Sequence, residues 1–256
     1  MGTMSWEFPG DGCTVVVGGT GGIGRAICER LAQAGANVAF TYRKQKDVAA
    51  QVEQNVRDAG RRTTSTTLEV TDFDSVKAAF ERFAGEFGRI HSVVYTTSLE
   101  IPQQWISKIE PAQMERALQV NVMGLFHVMQ AAIPRLRGGG SFVTVTTSAT
   151  SRYPRRDVLS AVPKSAVEML TLAVAKEEGR YGIRANCVGP HMIEAGGGTR
   201  VLQQVGEEIV RKMKADIPLQ RFGQPREVAD AVVFLASPLS SYISGQVLVA
   251  DGAWQV

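Results

Sequence analysis

The chain has 256 residues, 44% of them hydrophobic, with 26 glycines and 10 prolines. That is ordinary globular composition and excludes disordered, collagen-like and coiled-coil classes. A net charge of +3, from 28 basic and 25 acidic residues in no single block, is too mild to indicate nucleic acid or membrane as a partner.

Apolar runs alternate with helix-period segments along the whole chain. Met1 to Gly12 lacks the basic and apolar regions of a signal peptide and reads as a short arm. The spacing then predicts a strand over Cys13 to Val17, a helix over Gly22 to Ala34, a strand over Asn37 to Tyr42, a helix over Asp47 to Ala59 and a strand over Thr63 to Leu68. Thr71 or Asp72 caps a helix to Phe87, and Ile90 to Tyr95 is the next strand. Pro111 opens one long helix to about Leu136, followed by a strand over Ser141 to Thr146. A helix over Val162 to Arg180, a strand over Ile183 to Val188, helices over Thr199 to Ala215 and Pro225 to Ala236, and a strand over Gln246 to Ala250 complete the chain. Seven apolar strands separated by helices, with few hairpin signals, imply an α/β fold of Rossmann type. We expect a doubly wound seven-stranded parallel sheet in a single domain over residues 13–256, preceded by the arm over 1–12. No apolar run reaches the roughly 18 residues of a membrane span. Cys13, Cys28 and Cys187 are odd in number and lack metal-ligand spacing, so we expect a reducing, cytoplasmic setting and no metal.

Between the first strand and helix lies Gly18-Gly19-Thr20-Gly21-Gly22-Ile23-Gly24. Glycines there allow a tight turn and close approach of a pyrophosphate, and a helix N-terminus offers it free N–H groups. Gly18, Thr20, Gly21, Gly22, Ile23 and Gly24 are therefore the candidate phosphate-binding residues. An NAD site usually carries an acid near the end of the second strand. Here that strand ends Tyr42-Arg43-Lys44, with two cations placed for a 2′-phosphate, so the expected cofactor is NADP.

With these motifs the sequence resembles the short-chain dehydrogenase/reductase family from about Gly12 to Val256. Gly18, Gly22 and Gly24 match its glycine pattern, and Glu69-Val70 matches its adenine-contacting pair. Asn121, Lys164, Pro190, Gly245-Gln246 and Asp251-Gly252 also fall in register. The resemblance implies that Thr96, Thr97, Lys164, Pro190, His191 and Ile193 line the cofactor site. It also implies a small-molecule substrate and, together with the apolar run Val247-Leu248-Val249 ending at Ala253-Trp254, a homotetramer. The family's acid Tyr lies four residues before the lysine, where this chain has Ser160, and its catalytic Ser position holds Thr147. Tyr95-Thr96-Thr97-Ser98 stands in place of the family's Asn-Asn-Ala-Gly, and Pro190-His191 in place of its Pro-Gly.

Ser160-x-x-x-Lys164 and the Thr-rich end of the fifth strand are similar to the 2,4-dienoyl-CoA reductases, although the earlier Tyr of that branch is Ala149 here. The candidate catalytic residues are Lys164, Ser160, Asn121, Thr147 and Tyr153. An aliphatic alcohol is a far weaker acid than a phenol, so Ser160 and Thr147 suit hydrogen-bond stabilisation of an enolate better than proton donation. The expected reaction is NADPH-dependent reduction of an activated C=C bond. Carbonyl or imine reduction with a relocated acid, and a degenerate cofactor-binding protein, are the alternatives. Tyr153 or His191 could supply the proton to carbon; Arg155, Arg156 and Asp157 read as a solvated loop, while Trp105 and Met123 read as packing residues.

Overall fold

The computed structural model describes residues 8–256, the side chains of Arg200 and Gln204 apart. The first seven residues of the expected arm lie outside that range. Phe8 closes the arm onto the fold, buried and tilted against the His91 ring at 5.7 Å.

The strands are Cys13–Val17 (β1), Val38–Tyr42 (β2), Thr63–Thr67 (β3), Ile90–Tyr95 (β4), Gly140–Val145 (β5), Ile183–Pro190 (β6) and Val247–Ala250 (β7). They form one sheet in the order β3-β2-β1-β4-β5-β6-β7, every pairing parallel. The helices are Gly22–Gln33 (α1), Lys46–Asp58 (α2), Phe73–Phe87 (α3), Pro111–Leu118 (α4), Gly124–Leu136 (α5), Val158–Glu177 (α6), Gly197–Gln204 (α7), Glu207–Ala215 (α8) and Pro225–Ala236 (α9).

Side chains alternate across a strand, so a run of valines supplies both faces of the sheet. Val15 and Val17 face a core built from Phe80 and Phe83 of α3, Leu125 and Val128 of α5 and Val167 of α6. Val16 faces the opposite core, with Ile27 and Leu31 of α1, Val52 of α2 and Val232 of α9. β3 departs from the expected apolar strands: it is all Thr and Ser and half-exposed, because it is an edge strand. The chain winds from β1 outward to β3, then returns to place β4 on the other side of β1. That reversal opens a crevice at the carboxyl ends of β1 and β4, the usual ligand position in such sheets. The three cysteines are free and buried, and burial pushes their thiols up, Cys187 to about 11.

Four expectations need correction. The long helix to Leu136 is continuous but not α-helical throughout, since a π turn lies at Gln119–Met123, while Pro134 is tolerated in its last turn. The helix expected from Val162 begins at Val158, since Pro163 within it forfeits one backbone bond without ending it. The helix expected over Thr199 to Ala215 is two, parted where Val205 is extended and Gly206 starts α8. Trp254, counted toward an intersubunit surface, is buried within its own chain.

Candidate active site

The glycine turn is built against β2. The Gly18 N–H, at φ +94°, donates to the Thr41 hydroxyl oxygen at 3.3 Å, and the Gly19 N–H donates to the Thr41 carbonyl at 2.9 Å. A side chain is excluded at three points. A Cβ on Gly24 would strike the Gly18 carbonyl, one on Gly19 the Phe40 ring at 2.7 Å, and one on Gly22 the Ala195 methyl at 2.7 Å. α1 then starts at Gly22 with no side chain capping it, so its first N–H groups and positive dipole end face the crevice. Thr20 is half-buried, Gly21 is exposed, and Ile23 is packed partly into the core.

Tyr42 ends β2 half-buried, and Arg43 and Lys44 follow it, exposed. Among the described residues neither cation has an ion pair or a side-chain hydrogen bond. Glu69 accepts from the Thr71 hydroxyl at 2.9 Å, and Val70 is buried with its carbonyl 3.0 Å from the His127 ring nitrogen. Gly124 lets α5 approach that point, since a Cβ there would meet Val70 at 2.7 Å. Across the switch point the Thr96 N–H donates to the Val17 carbonyl at 3.0 Å, and the Thr97 hydroxyl reaches the same oxygen at 3.4 Å.

Lys164 is 6% exposed, and its ammonium donates to the carbonyls of Val145 (3.1 Å) and Thr97 (3.4 Å) at the ends of β5 and β4. Burial lowers its pKa to about 8, an effect partly offset by Cys187 and Glu168. Asn121 sits in the π turn: its amide nitrogen donates to the Ala117 carbonyl at 2.9 Å, and its buried Oδ1 lacks a partner. The Tyr95 hydroxyl donates to the Val120 carbonyl at 2.9 Å, pinning the same turn to β4. Thr147 accepts from the Ala149 N–H at 3.2 Å at the end of β5. Ser160 is half-buried in the first turn of α6, one turn before Lys164.

Tyr153 is 56% exposed and makes no hydrogen bond among those of the described residues, so it is not fixed in the cluster around Lys164. Pro190 ends β6, buried, and Ile193 is buried and bridges to Gly223. His191 stacks on Trp254 at 4.0 Å, and its Nδ1 lies 3.1 Å from the Ser148 hydroxyl. Burial lowers its pKa to about 4, so it is a neutral imidazole at neutral pH. Beyond it a cavity of ≈ 260 Å³, lined by Met192, Ile217, Leu219 and Arg221, is separate from Lys164 and Ser160.

Asp157 is the main residue that the sequence misplaced. It is 9% exposed rather than solvated, and its carboxylate accepts from the Gln103 amide at 2.9 Å. An Asp just before the apolar Val158-Leu159 is a helix-start signal that would have found it.

An uncapped helix end above a glycine cradle and the exposed cations after β2 fit a phosphate-bearing dinucleotide. A parallel sheet carrying that cradle at its switch point defines a dinucleotide-binding α/β protein. A profile described as Enoyl-(Acyl carrier protein) reductase matches residues 18–254. The acetoacetyl-CoA reductase of a Synechocystis strain is 33% identical over 247 residues, covering 95% of this chain and 96% of that one. The 3-oxoacyl-[acyl-carrier-protein] reductase FabG of Staphylococcus aureus is 28% identical, covering 93% and 96%. A short-chain type dehydrogenase/reductase from Mycobacterium ulcerans superposes with a TM-score of 0.90 at 28% identity, covering 96% and 90%. The chain belongs to the short-chain dehydrogenase/reductase family, whose members are oxidoreductases that use nicotinamide cofactors.

Proposed function

We propose that the chain is an NADPH-dependent reductase of an activated C=C bond in an enone or enoyl thioester. The observation that carries this reading is the pairing of a buried Lys164 with Ser160, one turn before it, where the family has a phenol acid. The bound nicotinamide supplies the hydride, and negative charge then builds on the substrate's carbonyl oxygen. Ser160 and Thr147 donate to that oxygen, and Lys164 holds the ribose and contributes positive charge. Gly18 through Gly24 hold the pyrophosphate, Glu69 and Val70 the adenine end, and Arg43 and Lys44 the 2′-phosphate, with Tyr42 beside them. Thr96, Thr97, Pro190, His191 and Ile193 frame the nicotinamide half, and Asn121 offers its free oxygen to a water.

The description Enoyl-(Acyl carrier protein) reductase supports C=C chemistry. The names acetoacetyl-CoA reductase and 3-oxoacyl-[acyl-carrier-protein] reductase support a second reading, carbonyl reduction of an acyl thioester. The cofactor part is tested by titrating the protein with NADPH and NADH. We expect NADPH to bind at least about tenfold more tightly, and Arg43→Ala with Lys44→Ala to erase the preference. Equal affinities in the parent would overturn the NADP assignment.

The domain reading is one cofactor-binding unit over residues 13–256, acting in the cytoplasm on a small molecule. A homotetramer is supported by two separate apolar faces. One is formed by Leu118, Met123 and Phe126 along α4–α5 with Val162 and Met169 of α6; the other is the β7 edge at Leu248. If each face pairs with its copy, the two together generate a four-copy assembly.

A further inference from the structure

The ≈ 260 Å³ cavity beside His191 has no task in the mechanism above. Its walls are the residues just after β6, the segment between α8 and α9, the start of α9 and the end of β7 with the residues that follow it. Hydrogen bonds between these stretches hold the walls together. The Gly223 N–H donates to the Met192 carbonyl at 3.0 Å, the Glu194 N–H to the Gly223 carbonyl at 2.9 Å, and the Leu219 N–H to the Gly252 carbonyl at 3.3 Å. Gly223 and Gly252 admit that closeness, since a Cβ would meet the Ile193 side chain at 2.6 Å and the Ile217 side chain at 2.8 Å. Ile193, Ile217 and Val228 give the cavity a buried apolar lining, and Leu219 stands 62% exposed at its mouth.

The charged groups of the wall are engaged by the chain itself. Arg221 and Glu227 join through two bonds of 2.8 and 2.6 Å. The two Asp251 carboxylate oxygens accept from the Ala253 and Gln255 N–H groups, each at 2.9 Å. His191 differs. Its Nδ1 is paired with the Ser148 hydroxyl at 3.1 Å and its ring with Trp254, but Nε2 makes no hydrogen bond among those of the described residues. That nitrogen is accessible, unlike the orphaned and sealed Nε2 of His91.

We propose that this cavity binds a small neutral alcohol or phenol, its hydroxyl on His191 Nε2 and its apolar body against Ile193, Ile217 and Val228. The volume sets the size, since about 150 Å³ of apolar cavity holds a benzene ring. There is room here for a ring or short chain with a polar head. Neutrality follows from the walls, where a charged head would lose water and meet no free counter-ion. The hydroxyl follows from the imidazole, which burial keeps neutral. A hydroxyl both donates and accepts, so it pairs with Nε2 in either tautomer of the ring. Neither Lys164 nor Ser160 lines this cavity, and its ligand does not depend on which reaction the crevice performs.

The test uses the free protein and the indole N–H signal of Trp254 in proton–nitrogen spectra, one of three such signals and assigned by its loss in Trp254→Phe. Titration with phenol should shift this signal saturably, with half-saturation at or below about 10 mM. Leu219→Trp covers the mouth from a side chain already in solvent, and Val249→Phe fills the cavity from β7. Each should weaken phenol binding by at least about tenfold. In His191→Phe, which keeps a ring against Trp254, the ratio of phenol to toluene affinity should fall about threefold to tenfold, the hydroxyl's bond being lost. A shift that stays linear in phenol, or that saturates as in the parent in both Leu219→Trp and Val249→Phe, overturns the site. An unchanged ratio in His191→Phe overturns the placement of the hydroxyl, and the ligand class with it.

Discussion

At the residue scale, Ser160 and Lys164 carry different loads although they stand one helical turn apart. Ser160 offers a hydrogen bond to a negative oxygen, an interaction of roughly 1–3 kcal/mol, so Ser160→Ala should lower kcat by about tenfold to a few hundredfold. Lys164→Ala removes a buried positive charge, two backbone contacts and, in the proposed mechanism, the ribose anchor, and should cost more in both kcat and cofactor affinity. Steady-state kinetics on matched enone and ketone panels check this. If Ser160→Ala is as inactive as Lys164→Ala, then Ser160 does more than donate. On the same panels Ser160→Tyr should raise ketone reduction, because the Lys164 charge is one helical turn away and can acidify a phenol. The sequence singled out Ser160, Lys164 and Asn121 because each lies at a fixed distance from a recognisable motif. Asp157 sits where a helix-start signal was legible, but its burial was not, since that depends on Gln103, 54 positions away, packing over it.

At the element scale, the π turn at Gln119–Met123 presents Asn121 to the site, and Tyr95 holds that turn against β4. Removing the hydroxyl leaves the Val120 carbonyl without this donor in a buried position. Tyr95→Phe should therefore cost about 0.5–1.5 kcal/mol of stability, read as a lower urea midpoint at unchanged m. An unchanged midpoint would mean that the turn holds without its tether. The strand bounds at Cys13–Val17 and Ile90–Tyr95 were legible because β-branched runs met turn residues at their ends. The π turn was not, because one extra residue per turn leaves the apolar spacing of Leu118 to Leu125 almost undisturbed. The start of α6 was obscured by Pro163, a residue more usual at the first helical position than in the second turn.

At the scale of the molecule, the fold holds His91 and His191 in neutral form. Burial lowers the His91 pKa to about 4, the nearby Arg89 charge adding to the effect. The unfolded chain takes up a proton near 6.5 that the folded chain refuses until about 4, so this stability is complete above 6.5 and is lost as pH falls between those values. The loss amounts to about 3 kcal/mol at the low end. His191 works in the same sense, while Asp157 and Glu168, held above the usual carboxylate range by burial, lose their contribution as pH rises. Thermal melts should show a smaller fall from pH 6.5 to 4 in His91→Leu than in the parent; an identical fall would contradict the assignment. The central claim, hydride delivery to an activated alkene carbon by a site with Ser160 in the acid position, is tested most directly by following the label from NADPH deuterated at C4 into an α,β-unsaturated ketone. The account predicts a saturated ketone carrying deuterium on the β carbon, and an allylic alcohol with deuterium on the carbinol carbon would contradict it.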